Sequence, residues 1–384
     1  MNESNALPRA TRAAPPRGLK GIAAHLLKDT LLLILLAALL LLTALAPGAV
    51  AGYPALVDWP TMAALTGLLV LTKGLEASGS LHHLGAWLIG FMATERATAL
   101  CLVLAAALLS TLLTNDVALF VVVPLTLGVC RITGMSATKL IVFEALAVNA
   151  GSALTPIGNP QNLFLWQLSG APFSAFVLHM LPLVAVLMLL LLALTACVFP
   201  GRPVAALAEA APAPLDRTLF GVSLALYLPF LLATDAHQAP WAVAAVLLIF
   251  VCLRPGVLRQ VDWALLLVFV LMFIDLRLFA SLDGVHRMMA GLDLSQPAQL
   301  YLSAIAASQV VSNVPAAIAL SEFSRNWQVL AYGVNVGGFG LMVGSLANLI
   351  ALRMAGERRA YLIFHLYALP FLLVAAGVGY VLMF

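Results

Sequence analysis

Eleven apolar segments follow one another along the chain, and most are long enough to cross a lipid bilayer, which takes about 20 residues. Only 9% of the 384 residues are charged, against roughly 25% in a soluble domain. Because so few charges cannot cover a compact soluble fold, the chain is predicted to be an all-α polytopic membrane protein whose outer solvent is the lipid bilayer. The segments are 30–50, 60–73, 97–130, 139–168, 175–199, 218–233, 241–253, 261–279, 297–323, 329–352 and 360–384.

The same sparse charge excludes several classes of function. A net charge of +3 provides no basic stripe, so no nucleic-acid partner is expected. The motifs GxxxxGK(S/T), HExxH, GxSxG and CxxC are absent, so ATP-driven pumping, zinc proteolysis and redox chemistry lack their residues. The chain is therefore not expected to be an enzyme, with no catalytic residue, no cofactor and no metal beyond a transported or coupling sodium ion. The cysteines lie scattered in apolar runs and are interpreted as packing residues: Cys101, Cys130, Cys197 and Cys252.

Two apolar segments, 97–130 and 297–323, are interrupted midway by polar residues, and we interpret them as re-entrant hairpins that enter and leave the membrane on one side. The other nine segments then cross the membrane, starting from residues 1–27, a disordered basic arm in the cytoplasm. This arrangement puts 16 of the 19 basic residues on the cytoplasmic side, as the positive-inside rule requires, and the C-terminus outside. The first apolar segment is too long for a cleaved signal peptide. The short amphipathic stretches 81–93 and 281–291 are predicted to be interfacial.

Two stretches, 149–163 and 335–349, align without a gap at an offset of 186 residues and are identical at five positions. We therefore predict two inverted repeats, 28–199 and 241–384, joined by a linker loop and connecting helix at 200–240. Each repeat contains a re-entrant helical hairpin and a broken transmembrane helix, an arrangement typical of secondary transporters. Further matched pairs are Ser110 with Ser308, Thr114–Asn115 with Ser312–Asn313, and Asp58–Trp59 with Asp262–Trp263.

Backbone breaks inside a bilayer leave N–H and C=O groups that need protein, water or a ligand as partners. The N-terminus of a half-helix suits an anion, while unwound carbonyls with Asn or Ser side chains suit a small cation such as sodium. The two hairpin tips and two breaks are therefore the predicted site for a small anionic substrate and a coupling ion. A helix cap without a ligand is the alternative for each Asn and Ser. The candidate residues are Thr114, Asn115, Asp116, Asn149, Gly151, Ser152, Gly158, Asn159, Asn162, Ser312, Asn313, Asn335, Gly337, Gly344, Ser345 and Asn348.

Two acids in apolar segments are candidates for the coupling of transport to protons or cations. Asp116 lies at the first hairpin tip, and a surface-lying carboxylate is the alternative. Glu144, five residues before Asn149, is the second candidate, and a place at the cytoplasmic rim is its alternative. Asp275 and Arg277 are interpreted as a local pair or an interface anchor. No histidine is given a role, because all lie in loops or near predicted helix ends.

The tip Thr114–Asn115–Asp116, the break from Asn149 to Asn162 and the sequence Ser312–Asn313–Val–Pro315 resemble the ion transporter superfamily. This superfamily includes divalent-anion:sodium symporters, citrate transporters and arsenite/antimonite efflux permeases, and the resemblance covers nearly the whole chain from about residue 28. In the symporters, Ser-Asn-Thr motifs at both tips bind the substrate carboxylate and line the sodium sites, which implies these roles for the two tips here. Asp116 and Val314 replace the Thr of each motif, and an Asn-Asp tip is closer to the arsenite permeases. The resemblance also implies a homodimer and a bacterial cytoplasmic (inner) membrane.

Together these features predict a secondary active transporter of a small anion, either a di- or tricarboxylate or an inorganic oxyanion. Transport would use a sodium or proton gradient and alternating access. An arsenite/antimonite-type metalloid efflux permease and a sodium/proton antiporter remain alternatives. An ion channel is a further alternative, because broken inverted repeats also occur in channels. An intramembrane hydrolase lacks a base–nucleophile pair or a set of metal ligands.

Overall fold

The computed structural model describes residues 30–45, 47–204 and 214–384, and this part of the chain consists of helices joined by short loops, without β-strands. The prediction of an all-α fold is confirmed for these residues, whereas the predicted basic arm at 1–27 lies outside them. Helices of eight or more residues are numbered in chain order. They are α1 (Thr30–Leu45), α2 (Trp59–Ala77), α3 (Ser80–Ile89), α4 (Glu95–Leu112), α5 (Asn115–Thr133), α6 (Ala137–Ser152), α7 (Pro160–Ser169), α8 (Phe173–Val198), α9 (Arg217–Asp235), α10 (Ala239–Leu253), α11 (Trp263–Ala280), α12 (Asp283–Ala290), α13 (Pro297–Val311), α14 (Asn313–Ser321), α15 (Trp327–Val336), α16 (Leu346–Ala355) and α17 (Arg359–Met383).

The helices follow the same order twice along the chain. The set α2 to α8 comprises a long helix, a short helix, a two-helix hairpin, a helix that ends at a break, a short helix after the break and a long closing helix. The set α11 to α17 repeats this order. Helix α1, which precedes the first set, packs against α11 of the second set. Helix α10, which precedes the second set, packs against α2 of the first set, so each copy's preceding helix contacts the other copy. A two-fold relation between the copies produces such an exchange, and their opposite orientation in the membrane stays a prediction.

The first long helix of each copy begins in the same way. Asp58 and Asp262 occupy the N-caps of α2 and α11, and each carboxylate accepts the amide three residues further on, at 3.0 and 3.1 Å. The next residue, Trp59 or Trp263, donates its indole Nε1 to the carbonyl five residues before it, at 2.9 Å in both copies. An N-cap carboxylate satisfies a helix N–H that otherwise has no partner. The repeated Asp-Trp pair therefore starts both helices for the same physical reason.

Contacts between distant loops gather the helix ends into two sets, one at each end of the bundle. Both ends of the α4–α5 hairpin fall in the first set, because α4 begins beside the end of α8 and only three residues separate α5 from α6. A re-entrant hairpin is likewise predicted to have both of its ends on the same side of the membrane. The contacts of the first set are Arg96 with Phe199, Asp216 with Ser78 and Arg254, and Thr138 with Glu357. The contacts of the second set are Arg277 with Leu56 and Glu322, Phe173 with Asp235, and His179 with Gln328.

A reporter fused after Phe384 is expected to read as external. Helix α17 begins two residues after Glu357, in the first set of helix ends, and its 25 residues carry the chain toward the opposite end. The positive-inside rule assigns the first set to the cytoplasm. Accessibility of the C-terminal reporter in intact cells measures this directly, with a reporter inserted after Gly201, in the first set, as the cytoplasmic control. A cytoplasmic signal from the C-terminal fusion would contradict the nine-segment topology.

Six of the described helices are long and apolar enough to cross a membrane: α4, α5, α8, α9, α11 and α17. The sequence predicts nine crossing segments and treats α4 and α5 as re-entrant, so helix length does not separate these two from crossing helices. The tip between them contacts the break after α6, which favours the re-entrant arrangement, and this arrangement stays a prediction. The ten residues of α7, or about 15 Å, lie between that break and the second set of helix ends. We therefore expect the tip to end within the membrane rather than at the second set of helix ends.

Candidate functional site

The hairpins and the breaks approach each other so closely that only glycine fits between them. A Cβ on Gly151 would lie 2.2 Å from the carbonyl oxygen of Ala107 in α4, and a Cβ on Gly337 would lie 2.5 Å from the Cβ of Ser308 in α13. The carbonyl of Gly158 accepts the first amide of α5 at 3.0 Å. The matched glycines thus let each hairpin rest directly on the break of its own copy.

Four buried asparagines bond the two breaks to each other reciprocally. Nδ2 of Asn149 donates to Oδ1 of Asn348 at 2.7 Å, and Nδ2 of Asn335 donates to Oδ1 of Asn162 at 2.6 Å. The offset of 186 residues turns the first pair into the second, with the copies exchanged. All four side chains are at most 4% exposed. The asparagines that the repeat singles out therefore form one group, here called the asparagine cluster, where the two breaks meet.

Each break is also closed on itself by a matched bond. Nδ2 of Asn162 reaches the carbonyl of Ser152 at 3.4 Å and two further carbonyls of the first break at 3.1 Å. Nδ2 of Asn348 donates to the carbonyl of Gly338 at 2.9 Å, and Ser152 and Gly338 are a matched pair of the repeat. Gly344 ends a short 3₁₀ turn in the second break. These bonds supply the partners that unwound backbone needs within a bilayer.

The capping alternative holds for one half-helix and is wrong for three. Asn159 caps α7, since its Oδ1 accepts the amide of Asn162 at 2.9 Å, and its Nδ2 also donates to the asparagine cluster at 3.0 Å. Thr114, Ser312 and Ser345 are the N-caps of α5, α14 and α16, and none of them makes a side-chain cap. The Ser345 hydroxyl is buried without a partner among the described residues. Three half-helix N-termini thus lack their usual cap.

The hairpin tips keep donors available beside the asparagine cluster. Oδ1 of Asn115 accepts the amide of Asp116 at 3.0 Å, while Nδ2 of Asn115 has no partner within the described ranges. Nδ2 of Asn313 lies next to Gly338 of the second break, 3.2 Å from the position a Cβ would take there. Ser312 has a φ of 77°, a left-handed conformation that costs a residue other than glycine about 1–3 kcal/mol. Strain of this kind concentrates at functional sites.

Asp116 and Glu144 lie outside the asparagine cluster. Asp116 is half-buried in the first turn of α5, and its Oδ1 is buried without a hydrogen-bond partner in the described part of the chain. Glu144 is fully buried on α6 and accepts the hydroxyl of Thr126 from α5, while its Oε2 has no described partner. Its alternative place at the cytoplasmic rim is therefore wrong. Neither acid forms an ion pair among the described residues.

Of the two roles predicted for Asp275 and Arg277, the local pair is wrong, and the interface anchor stays a prediction. Nε of Arg277 pairs with Glu322 at 3.0 Å, and its Nη1 donates to the carbonyl of Leu56 at 2.6 Å. Asp275 is 4% exposed, and both of its carboxylate oxygens are buried without a partner among the residues described. Helical residues two positions apart point to different faces, which is why these two do not pair.

Three side chains that hold the breaks were not predicted from the sequence. Gln309 of α13 makes three bonds to the second break, and Thr111 of α4 donates to a carbonyl of the first break at 2.9 Å. His365 of α17 accepts a backbone amide of the second break at 3.3 Å, although no histidine was predicted to have a role. The match of Ser110 with Ser308 places Thr111 opposite Gln309, so extending the repeat by one residue identifies both.

Comparisons with known proteins agree with this architecture. A family model described as citrate transporter matches residues 23–326. The inner membrane protein YbiR of Escherichia coli (strain K12) is 49% identical over 88% of this chain and 91% of its own length, and the uncharacterized transporter MJ0456 of Methanocaldococcus jannaschii is 30% identical over 78% and 82%. The silicon efflux transporter LSI3 of Oryza sativa subsp. japonica is 32% identical over 33% of this chain and 26% of its own length. The chain is an integral membrane transporter rather than an enzyme, and it belongs to the citrate transporter family.

Proposed function

We propose that this transporter carries a small anion across the bacterial inner membrane by secondary active transport with alternating access. The observation that supports this best is the set of three half-helices, α5, α14 and α16, that begin around the asparagine cluster and whose N-cap residues make no side-chain cap. A helix N-terminus carries about half a positive charge, so it attracts carboxylates and oxyanions. In α5 this charge remains although the first two amides are bonded to the carbonyl of Gly158 and to Oδ1 of Asn115. Three such ends around one cluster favour an anionic substrate, either a di- or tricarboxylate or an inorganic oxyanion.

The asparagines divide into two roles in this proposal. The tip residues Asn115 and Asn313 contact the substrate, because their amide nitrogens are not used by the breaks. The members of the asparagine cluster bond to each other, so they fix the positions of the half-helices around the substrate. The two-fold exchange of contacts supports alternating access, since one copy can take the conformation of the other and open the site to the opposite side.

The proposal is tested by uptake into proteoliposomes that contain the purified chain, across a panel of citrate, succinate, sulfate and arsenite. Sodium and proton gradients are imposed separately for each substrate. We expect one class of anion to accumulate against its own gradient when one of the two cation gradients is present. Movement only down the substrate gradient would indicate a channel, and exchange of sodium for protons without an anion would indicate an antiporter.

Asp116→Asn is expected to change the sodium or pH dependence of uptake. An amide can neither carry a proton nor neutralise a cation, and Asp116 is the acid that opens α5 beside the tip asparagine. Initial uptake rates are measured while sodium concentration and pH are varied independently. Asp283→Asn, at an exposed position on α12, serves as the matched control. If Asp116→Asn keeps the wild-type dependence on both ions, Asp116 has no part in coupling.

Metalloid efflux is the second candidate function, and two observations favour it. The similarity to the rice protein named silicon efflux transporter covers 127 residues of this chain. The acidic tip residue Asp116 also suits an uncharged substrate better than an anion, since a carboxylate repels an anion unless a proton or a cation neutralises it. Export of arsenite from loaded vesicles, without uptake of carboxylates, would favour this candidate over the first.

A further inference from the structure

The half-helices that leave the breaks and the hairpin tips lead to opposite sides of the bundle. Helix α7 leads from the first break to the second set of helix ends, where Phe173, four residues after α7, bonds to Asp235. Helix α14 leads from the second tip to Glu322, which belongs to the same set. Their counterparts in the other copy, α16 and α5, lead to the first set, where Thr138 bonds to Glu357. The two sides are therefore built from matched helices.

The matched helices pack differently on the two sides. On the side of the second set, α7 packs against α2, and α14 packs against α11. Exchange of the copies turns these contacts into α16 against α11 and α5 against α2. Neither of these two pairs packs closely in the described part of the chain. The half-helices are thus closed against α2 and α11 on the side of the second set only.

A pair of aromatic rings shows the same difference. Phe164 of α7 meets Phe273 of α11 edge to face, with 5.3 Å between the ring centroids, and both side chains are buried. The offset of 186 residues matches Phe164 with Ile350 of α16. Counted from the Asp-Trp starts of the two helices, Phe273 matches Leu69 of α2. Ile350 and Leu69 are only partly buried, and exchange of the copies would bring them together as the two rings meet here.

Arg277 of α11 adds a charged contact on the closed side. Its Nε pairs with Oε1 of Glu322, directly after α14, at 3.0 Å, and its Nη1 donates to the carbonyl of Leu56, three residues before α2, at 2.6 Å. Its guanidinium group also lies over the ring of Phe273, 5.5 Å from the centroid. One arginine therefore joins the second hairpin to α11 and to the start of α2.

The other copy has the cation without the acid. Lys73 of α2 matches Arg277, whereas Pro124 of α5 stands at the position that matches Glu322. Lys73 pairs with Glu76 of its own helix at 2.8 Å. Because proline carries no charge, closure of α5 against α2 would gain no ion pair at this position.

We propose that the ion pair of Arg277 and Glu322 holds the transporter closed on the side of the second set, and that the matched side closes without such a pair. This inference rests on the alternating access of the proposed function. In the opposite state, α5 and α16 would pack against α2 and α11, Ile350 would reach Leu69, and Arg277 would separate from Glu322. The ion pair thus favours the state described here over the opposite one.

The test is the formation of a disulfide between Leu69→Cys and Ile350→Cys by a mild oxidant, in membranes that contain the full-length chain. Mass spectrometry of peptides identifies this disulfide apart from any made by the native cysteines, and its initial rate reports the population of the opposite state. Glu322→Gln and Arg277→Gln each remove the ion pair and are expected to raise this rate about threefold or more. Arg277→Lys keeps the positive charge and is expected to raise it less.

Salt gives an independent measurement on the chain that keeps both charged residues. The two side chains are 15% and 29% exposed, so roughly 0.5 M salt is expected to screen the pair in part and to raise the rate of disulfide formation. Glu322→Gln is expected to remove this dependence on salt. Choline chloride and sodium chloride are expected to act equally, because screening depends on ionic strength.

Arg254→Gln is the matched control, since it breaks the ion pair of Arg254 with Asp216, which joins α10 to α9 and touches neither hairpin. Its disulfide rate is expected to equal that of the parent chain. Absence of the disulfide in every variant, an equal rate with and without the Arg277–Glu322 pair, or an equal rise with Arg254→Gln would each overturn the proposal. The disulfide forms without substrate, so a chain that carries no anion of the panel would remove the proposed substrate class alone.

Discussion

Alanine in place of Asn115 or of Asn313 is expected to abolish transport while the protein stays folded and inserted. Each substitution removes an amide donor from a hairpin tip beside the asparagine cluster. A hydrogen bond to a charged ligand contributes about 1.5–3 kcal/mol, which corresponds to roughly a tenfold to hundredfold loss of affinity for each tip. Uptake into proteoliposomes, with the transported anion identified from the substrate panel, measures the effect.

Asn326→Ala is the matched control for the tip variants. Asn326 is exposed and caps α15 through the amide of Val329 at 3.2 Å, away from the hairpin tips. Its loss is expected to lower stability by about 1 kcal/mol and to leave uptake unchanged. Wild-type uptake by both tip variants would remove the hairpin tips from the substrate site, whereas equal losses in all three variants would point to a general effect on folding.

Asn335→Ala is expected to destabilise the chain, because it breaks a bond between the two breaks. The Oδ1 of Asn162 loses its donor, and Nδ2 of Asn159 loses one of its two acceptors. Each buried group left without a partner costs about 1–3 kcal/mol of the free energy of unfolding. Asn149→Ala is the matched change in the other copy and is expected to have a similar effect, because Oδ1 of Asn348 then loses its donor. Denaturant titration in detergent measures both.

A double-mutant cycle separates this bond from general loss of packing. The double variant Asn162→Ala, Asn335→Ala removes both partners and leaves no orphaned oxygen between them, so its cost is expected to be smaller than the sum of the single variants. Asn149→Ala, combined with Asn335→Ala, pairs residues that do not bond to each other. Strict additivity of the Asn162–Asn335 pair would contradict a direct bond between the two breaks.

The repeat was predicted from the sequence because its signal is local. Asn and Gly recur at fixed spacing in segments that are otherwise apolar, and a polar residue there needs a partner whatever the tertiary structure is. This is why two residues that the alignment matches, Asn149 and Asn335, both lie in the asparagine cluster of the structure. The Asp-Trp starts of α2 and α11 are likewise local, since a cap and its helix lie within a few residues.

The bonds across the cluster could not be predicted, because they depend on the approach of helices far apart in the chain. The alignment matches Asn149 with Asn335, whereas the structure bonds Asn149 to Asn348, which the alignment matches with Asn162. Gln309 was not predicted to hold the second break, because glutamine is common in helices and its hydrogen-bond partners lie 28 to 32 residues away in the sequence. The isolation of Asp275 from Arg277 depends on Glu322, which another helix brings to the arginine.

The reciprocal bonds of the asparagine cluster also set the order of events during synthesis. Asn149 and Asn162 leave the ribosome before their partners Asn348 and Asn335, which follow 199 and 173 residues later. At about 5–20 residues per second, the delay is on the order of 10–40 s. Throughout this interval Nδ2 of Asn149 and Oδ1 of Asn162 lack their partners from the second half, so water or the insertion machinery must satisfy these two groups. The two halves are thus assembled as obligate partners, and the first half completes its buried hydrogen bonds only when the second half is inserted.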